Sequence, residues 1–473
     1  MRNCFIRSLQ ASSLSYVCLI FTFIFSSTVL AEQNLIYSQL HKLEEDYQFI
    51  LTEFYRDKAS YSAESMQYIS SVELLHSEIL WRFSSKQPVT ALQLIYFNIR
   101  TIKNNLNHKA ISAFIRLLLE NNDLKLAKAL LRDVIKKGDK NLLPEIYFHF
   151  ARYYAQRHNW SKVNKLLENN INKLSLAKKD NALMLNGAAL IHLKKFKLAK
   201  ENLTKISSSS HNYAYAQLNM AIVNVKLGLW NKEDKAIDYI LNKMLAEKGG
   251  ELVNRLYLLL GYALMQQNNN AKARNAFRQI SLGSRYTNRA LVGIGLTAIS
   301  QKDFSGASNA LTILKNKKII DLSVDESYVL FSYLYEKQFQ EYKMSISYMQ
   351  AMKYYQSRID QLEVISTQEN DMSVISYDEP ASAIIINNIS LDYKSMYPES
   401  FMFNYMQLNN LLELSITKSL KNKIENLIKK YVKMIQKITS NLARQRKEYL
   451  VNYLNQSRYG LAHLYDSSNS ETN

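Results

Sequence analysis

Residues that end or kink helices are scarce in this 473-residue sequence, which has only 4 prolines and 11 glycines. Sandwiches, barrels and loop-rich scaffolds need turn residues at roughly every tenth position, so the composition argues against all three. Two cysteines can build neither a disulfide framework nor a zinc cluster. The sequence is instead 47% hydrophobic with a formal net charge of +19, which indicates a long, folded, helical and basic protein.

The N-terminus has the pattern of a secretory signal peptide. Arg2 and Arg7 precede an uncharged stretch that extends to Ala31 and has an apolar centre. The short side chains just before Glu32 suit a signal peptidase. We therefore predict a signal peptide over residues 1–31 and export to the periplasm or the cell envelope. An uncleaved N-terminal membrane anchor is the minor alternative.

A period of 34 to 37 residues runs through the middle of the sequence. Small or apolar residues recur in register at Ala127, Val163, Ala199, Ala236, Ala273, Ala307 and Met344. Each is followed four residues later by a large apolar residue, which is the spacing of one helix face. A second helical stretch lies upstream of each. We predict seven antiparallel helix pairs over residues 109–365, which stack because a lone pair cannot bury both of its faces.

Small residues at recurring positions indicate close packing between these helices. Glycine inside a helix costs about 1 kcal/mol relative to alanine, so glycines at equivalent places in several pairs point to a steric requirement. The predicted repeat-packing residues are Ala151, Gly187, Ala199, Gly261, Ala273, Phe277, Gly295, Ala307 and Leu311.

Two consecutive units carry the clearest motif. Its residues are Leu260, Gly261, Leu264, Asn268, Ala273, Phe277 and Ile280 in one unit, and Ile294, Gly295, Ala298, Ala307, Leu311 and Leu314 in the next. This pattern resembles the tetratricopeptide repeat family. The resemblance implies an all-α fold, a right-handed α-solenoid, that binds protein or peptide partners. The family's closing proline is absent and several periods exceed its usual length, so a related α-solenoid type is the alternative.

The N-terminal flank of the predicted array is also helical. Residues 32–108 are predicted to form an N-terminal helical cap with a degenerate repeat around Ile79, Ala91 and Ile95. The first helix of this cap is expected to break in the polar stretch 56–60.

The C-terminal flank divides into three parts. Residues 366–400 break the period and contain two of the four prolines, so an irregular linker or insertion is expected. Within it, the apolar run 383–386 is either a short strand or a buried turn. Residues 401–466 are predicted to be a basic helical or coiled-coil region, because apolar residues from Leu420 to Ile438 alternate steps of four and three. Residues 467–473 are expected to be a disordered tail.

The C-terminal helical region carries much of the positive charge. Between Lys418 and Arg458 lie eleven basic residues and only two acidic ones. One interpretation is a solvated face above an apolar seam, and another is contact with an anionic membrane surface or cell-wall polymer. No nucleic-acid partner is expected, because export separates the chain from nucleic acid. The second interpretation assigns the anionic-surface contact to Lys429, Lys430, Lys433, Lys437, Arg444, Arg446 and Lys447.

A tetratricopeptide array uses the first helix of each pair to line its concave surface. The resemblance implies that this groove would be lined here by Arg116, Arg152, Arg255, Tyr262, Arg289 and Tyr333. A basic and aromatic groove suits an acidic or extended peptide, and simple exposure of these residues is the alternative. The family's clamp for a C-terminal carboxylate is not reproduced, because Ala188 and Ile222 interrupt it.

No set of residues for catalysis or metal binding stands out in the sequence. The histidines lack ligand spacing, and no phosphate loop or Gly-x-Ser-x-Gly elbow occurs. Glu399-Ser400 is similar to the catalytic dipeptide of superhelical lytic transglycosylases, but the Gly-rich context of that family is missing. We predict a non-enzymatic protein–protein interaction scaffold of the bacterial cell envelope, with no cofactor and no metal. A peptidoglycan hydrolase centred on Glu399 and an anionic-surface binding module are the alternatives.

Overall fold

Helices make up nearly all of the described structure. The computed structural model describes residues 27–61, 68–227, 250–367, 376–377, 383–392, 397–398, 400–415 and 417–470. Its successive helix pairs confirm the predicted all-α solenoid class. The chain divides into two compact units: the first unit comprises Leu35–Ile240 and Tyr397–Met434, and the second unit comprises Met1–Asn34, Leu241–Met396 and Ile435–Asn473.

The first unit contains the N-terminal part of the repeat array. Its helices are α1 (Ser27–Tyr61, from Leu35 onward), α2 (Val72–Ser84), α3 (Pro88–Phe97), α4 (Ile99–Asn104), α5 (Ala110–Glu120), α6 (Leu124–Lys137), α7 (Leu143–Ala155), α8 (Trp160–Leu167), α9 (Leu176–His192), α10 (Phe196–Leu203) and α11 (Tyr213–Lys226). Short 3-10 helices at Lys140–Leu142 and Ile171–Lys173 precede α7 and α9. The second helix predicted around Ala236 lies outside the described residues.

The second unit contains the remaining pairs and a small sheet. Its elements are α12 (Glu251–Gln266), α13 (Asn270–Arg278), α14 (Thr287–Ser300), α15 (Phe304–Lys315), α16 (Leu322–Lys337), α17 (Glu341–Thr367), β1 (Ser376–Tyr377), β2 (Ala383–Ile386) and β3 (Ile389–Asp392). Helix α18 (Ser400–Leu414) belongs to the first unit. Helix α19 (Lys418–Ser470) contributes its start to the first unit and its remainder to the second.

The turn inside each helix pair that is described at both helices repeats with the same backbone. One residue in each turn has a φ of 55° to 61°, and none is glycine: Lys86, Asn122, His158, Lys194, Asn268, Lys302 and Phe339. In four turns the next side chain accepts a hydrogen bond from the backbone N–H three residues on, at Asp123, Asn159, Asn269 and Asp303. Because Lys86 has this same backbone conformation, α2 and α3 form a helix pair of the same type. The degenerate repeat was predicted for these two helices, around Ile79, Ala91 and Ile95.

Residues at the predicted packing positions are fully buried. The exposed fraction is 0% for Ala127, Ala151, Val163, Ala199, Ala273, Ala307 and Leu311. A Cβ added to Gly187 would lie 2.6 Å from Leu203, and one added to Gly295 would lie 3.2 Å from Leu311. Such approach of a glycine backbone to a neighbouring side chain is the physical reason for small residues at these places.

Helix α19 packs on the last helix pair within the second unit. Three facing contacts join Tyr348 to Gly460, Tyr355 to Tyr453, and Glu363 to Lys447. Residue numbers rise along α17 as they fall along α19, so the two helices run antiparallel. The C-terminal part of α19 thus covers the array's last helix, whose apolar face would otherwise meet water.

The segment 366–400, expected to be an irregular linker or an insertion, contains a three-stranded antiparallel sheet, so its described residues are more regular than expected. Ala383–Ile386 forms a strand, which was one of the two alternatives that the sequence left open there. Strands β1, β2 and β3 pair in sequence order, with Ile386 opposite Ile389. Asn387 and Asn388 connect β2 to β3 with φ values of 49° and 64°, the backbone that two-residue hairpins require. Helix α17 also extends to Thr367.

Two predicted boundaries are corrected by the helices. Helix α1 continues without a break through residues 56–60 to Tyr61. Helix α19 continues to Ser470, so the predicted disordered tail is helical up to that residue. Residues 1–26 of the predicted signal peptide lie outside the described residues.

Candidate functional site

The first helices of the first unit carry a group of cations. Arg116 on α5 and Arg152 on α7 lie at equivalent places in consecutive helix pairs. Arg152 is exposed, with Nη1 3.9 Å from Oε1 of Glu120 on the neighbouring first helix. Burial lowers the pKa of His76 on α2, and the charges of Arg116 and Lys109 contribute to that lowering. Positive charge is therefore concentrated beside α5.

The positive face continues to α9 through an ion pair. Lys178 Nζ lies 2.5 Å from Oε1 of Glu145 on α7, and His149 Nε2 lies 3.6 Å from the same oxygen. The nearby imidazole of His149, followed by the ion pair with Lys178, lowers the pKa of Glu145 to about 2. Glu145 is therefore an ionised carboxylate neutralised by Lys178. Lys109 and Arg116 form no ion pair within the described part of the chain, so cations remain in excess on this face.

Three residues predicted to line the groove are at least partly accessible in the second unit. Arg255 on α12 and Arg289 on α14 are exposed, and Arg289 Nη2 lies 3.8 Å from Oδ2 of Asp392. Tyr333 on α16 is half-buried, and Lys337 Nζ lies 5.0 Å from the centre of its ring. A carboxylate therefore offsets the charge of Arg289, and an ammonium group already lies over the ring of Tyr333.

Tyr262 does not line an open groove, and its prediction as a partner-binding residue is corrected. Its exposed fraction is only 6%. The ring packs edge-on against Phe277 at 5.1 Å, and the hydroxyl donates a hydrogen bond to the carbonyl oxygen of Arg289 at 2.9 Å. Tyr262 is thus a core residue that links α12 to α13 and α14.

Most of the basic residues assigned to an anionic surface are accessible on α19. Lys429, Lys430, Lys433 and Arg444 are exposed, and Lys437 and Lys447 are half-buried. Some are neutralised: Lys430 Nζ lies 2.8 Å from Oδ2 of Asp46, and Lys447 pairs with Glu363. Their roles stay predictions.

Arg446 is buried, so its assignment to an anionic surface is corrected. Its exposed fraction is 6%. Nε and Nη2 donate to Oδ2 of Asp325 on α16 at 2.9 and 2.6 Å, and Nη1 donates to the carbonyl oxygens of Ile320 and Ser390. The guanidinium therefore joins α19 to α16 and to β3. Sequence reasoning could not identify this site, because the partners lie far from Arg446 along the chain.

A second, half-buried acid lies beside this ion pair. Glu326 accepts a hydrogen bond from the Tyr453 hydroxyl of α19 at 3.0 Å. Burial is the main cause that raises the pKa of Glu326 from 4.5 to about 7, and the neighbouring Asp321 and Asp325 raise it further. The contact between α16 and α19 thus contains a carboxyl group that is costly to ionise.

Replacing Glu326 by glutamine is expected to stabilise the protein above neutral pH. The folded state holds the Glu326 proton more tightly than the unfolded state, so stability falls as the pH rises from about 4.5 to 7. Glutamine accepts the same hydrogen bond without this cost. The gain in free energy of unfolding should be about 2–3 kcal/mol at pH 8 and near zero at pH 4. Urea denaturation at both pH values measures it, and an equal gain from the exposed Glu341→Gln would contradict it.

Metal-ligand clusters and membrane-spanning helices were sought among the described residues. Within them, no group of three or more His, Cys, Asp or Glu side chains could hold a metal ion. No helix in the same part of the chain combines the length and apolarity needed to cross a bilayer. Glu399, the centre of the hydrolase alternative, lies outside the described residues.

Comparisons with known proteins give similarity at the level of helical repeats. No protein-family model and no curated protein matches the chain. A solved structure from the functional characterisation of Pseudomonas aeruginosa PilF matches with 13% identity and a TM-score of 0.34, covering 54% of this chain and 95% of that one. A circular tandem repeat protein with novel repeat topology matches with 12% identity and a TM-score of 0.15, covering 94% of each chain. Both TM-scores are low, so the repeat fold rests on the helix pairs themselves.

Proposed function

We propose that this chain is a non-enzymatic scaffold that binds an extended acidic segment of a partner protein along α5, α7 and α9. The observation that carries the proposal is the excess of cations on these consecutive first helices, with Arg116 and Arg152 at equivalent places. Helical-repeat folds present such faces to protein partners at many points. The signal peptide predicted from residues 1–31 supports action in the bacterial cell envelope.

The spacing of neighbouring helices supports an extended rather than a helical ligand. Packed helices lie about 8–10 Å apart, and a polyproline II segment advances about 3.1 Å per residue with three residues per turn. Every third side chain of such a segment therefore faces the array at the level of the next first helix, where Arg116 and Arg152 follow one another. The expected ligand has an acidic residue at every third position. Pre-formed helices lower the ordering cost of binding such a segment.

A peptide titration tests this proposal. The probe is a fluorescein-labelled peptide with glutamate at every third position, and fluorescence anisotropy with the full chain gives its Kd. The pair Arg116→Glu and Arg152→Glu should weaken binding at least tenfold, because each change replaces an attraction by a repulsion.

The matched control reverses two exposed cations on the second helix α6, Arg132→Glu and Lys136→Glu. Equal Kd values for the two double variants would reject the proposed face. Equal binding of a peptide with lysine in place of glutamate would reject an acidic ligand.

A further inference from the structure

Helix α18 exposes a row of apolar side chains. Phe403, Met406 and Leu414 are 40%, 46% and 43% exposed. They lie on the side of α18 away from Phe401, Asn404, Leu408 and Leu411, which pack into the first unit. Exposed apolar residues aligned on one helix face indicate an interaction surface for a protein, a membrane or a ligand.

The start of α19 exposes a row of cations. Lys418, Lys421, Lys429 and Lys433 are exposed, and none of them forms an ion pair within the described residues. Lys423 and Lys430, by contrast, point to acids of α1: Lys423 pairs with Glu53, and Lys430 pairs with Asp46. The exposed Glu425 lies one turn from both Lys421 and Lys429, so the face keeps a net excess of three positive charges for an anionic partner.

The two rows lie on successive antiparallel helices. Phe401 of α18 stacks on Tyr431 of α19 with ring centres 5.3 Å apart, and only three residues separate the two helices in the sequence. The helices consequently run antiparallel, which brings Phe403 to the level of Lys429 along the helix axes. Leu414 precedes Lys418 by four residues.

We propose that these two helices dock the protein on the surface of a phospholipid bilayer that contains anionic lipids. A surface with apolar side chains beside lysines matches the boundary between acyl chains and negatively charged headgroups. An anionic polymer would pair with the lysines but has no apolar phase into which Phe403, Met406 and Leu414 could insert. A bilayer therefore fits both rows better than such a polymer. The proposal is independent of the peptide-binding face on α5, α7 and α9, whose residues it does not use.

Vesicle co-sedimentation tests the docking surface. The probes are vesicles of phosphatidylcholine alone and of phosphatidylcholine with phosphatidylglycerol. The full chain should bind the anionic vesicles and lose affinity as salt is raised. The triple change Lys421→Gln, Lys429→Gln and Lys433→Gln should weaken binding roughly a hundredfold, at about fivefold for each lysine near the surface. The pair Phe403→Ser and Met406→Ser should weaken it about tenfold.

Matched controls change exposed residues elsewhere in the first unit. They are Lys136→Gln, Lys137→Gln and Lys197→Gln for charge, and Leu176→Ser and Leu198→Ser for apolar contact. Circular dichroism confirms that each variant is folded. Absence of binding to anionic vesicles, or equal losses in variants and controls, would overturn the proposal. Salt-sensitive binding that is equally strong in the Phe403→Ser and Met406→Ser variant would also overturn it. Electrostatic attraction alone would then account for the binding.

Discussion

Replacing Arg446 by methionine is expected to lower the free energy of unfolding by about 3–5 kcal/mol. Methionine fills much of the same volume but leaves the Asp325 carboxylate buried without its cation. Burial already raises the pKa of Asp325, and Arg446 opposes that rise. The change also removes the donors of two carbonyl oxygens, at Ile320 and Ser390. Urea denaturation of the full chain measures the loss.

Two further variants separate the ion pair from simple packing. Adding Asp325→Asn to Arg446→Met should restore part of the stability, because the uncompensated charge disappears. Arg458→Met is the matched control, since Arg458 is exposed on the same helix. It should change stability by less than about 0.5 kcal/mol. A loss from Arg446→Met no larger than that of the control would contradict a role for the buried pair.

Arg446 gives the C-terminal helix a polar attachment to the array in addition to its apolar one. A terminal repeat has one apolar face without a neighbour, and a covering helix must bury that face. On α19 the covering side includes Leu450 and Leu454, which are 0% and 5% exposed. Arg446 adds a specific polar connection to α16, so the helix is fixed in one register.

The repeat array could be predicted because its signal is local and periodic. Ala127, Ala199, Ala273 and Ala307 recur at a nearly fixed spacing, and burial of each follows from the helix face it occupies. The sheet could not be predicted in the same way, since its strands have two to four residues and carry no lasting alternation. The Asn387-Asn388 pair was its usable signal, because asparagine tolerates left-handed backbone better than most residues.

The candidate binding residues form two groups: those whose neighbours belong to the same helix pair, and those whose neighbours come from distant parts of the chain. Arg116 and Arg152 are located by their offset from packing residues in their own helix pairs, so sequence reasoning places them. Tyr262 and Arg446 are buried by residues of other helices, and in the case of Arg446 the partner Asp325 is 121 positions away. A single sequence shows no spacing that links such partners.

Replacing Phe277 by alanine is expected to cost about 3–5 kcal/mol in the free energy of unfolding. Its ring is 1% exposed and lies between two glycine backbones, Gly261 of α12 and Gly293 of α14. A Cβ added to either glycine would come closer than 3.0 Å to the ring. One side chain thus sets the distance from α13 to both neighbouring first helices, and its removal leaves a cavity against rigid backbone. Urea denaturation measures the loss.

The reciprocal change tests whether Phe277 is the reason for the glycines. Gly293→Ala should destabilise the protein by about 1–2 kcal/mol, although alanine is the better helix former by about 1 kcal/mol. In a Phe277→Leu background the same change should be neutral or stabilising, because the steric conflict is then relieved. Gly283→Ala is the control, since a Cβ there meets nothing within 4 Å. If Gly293→Ala still lowers the free energy of unfolding in the Phe277→Leu background, a contact other than that with Phe277 excludes the added methyl group.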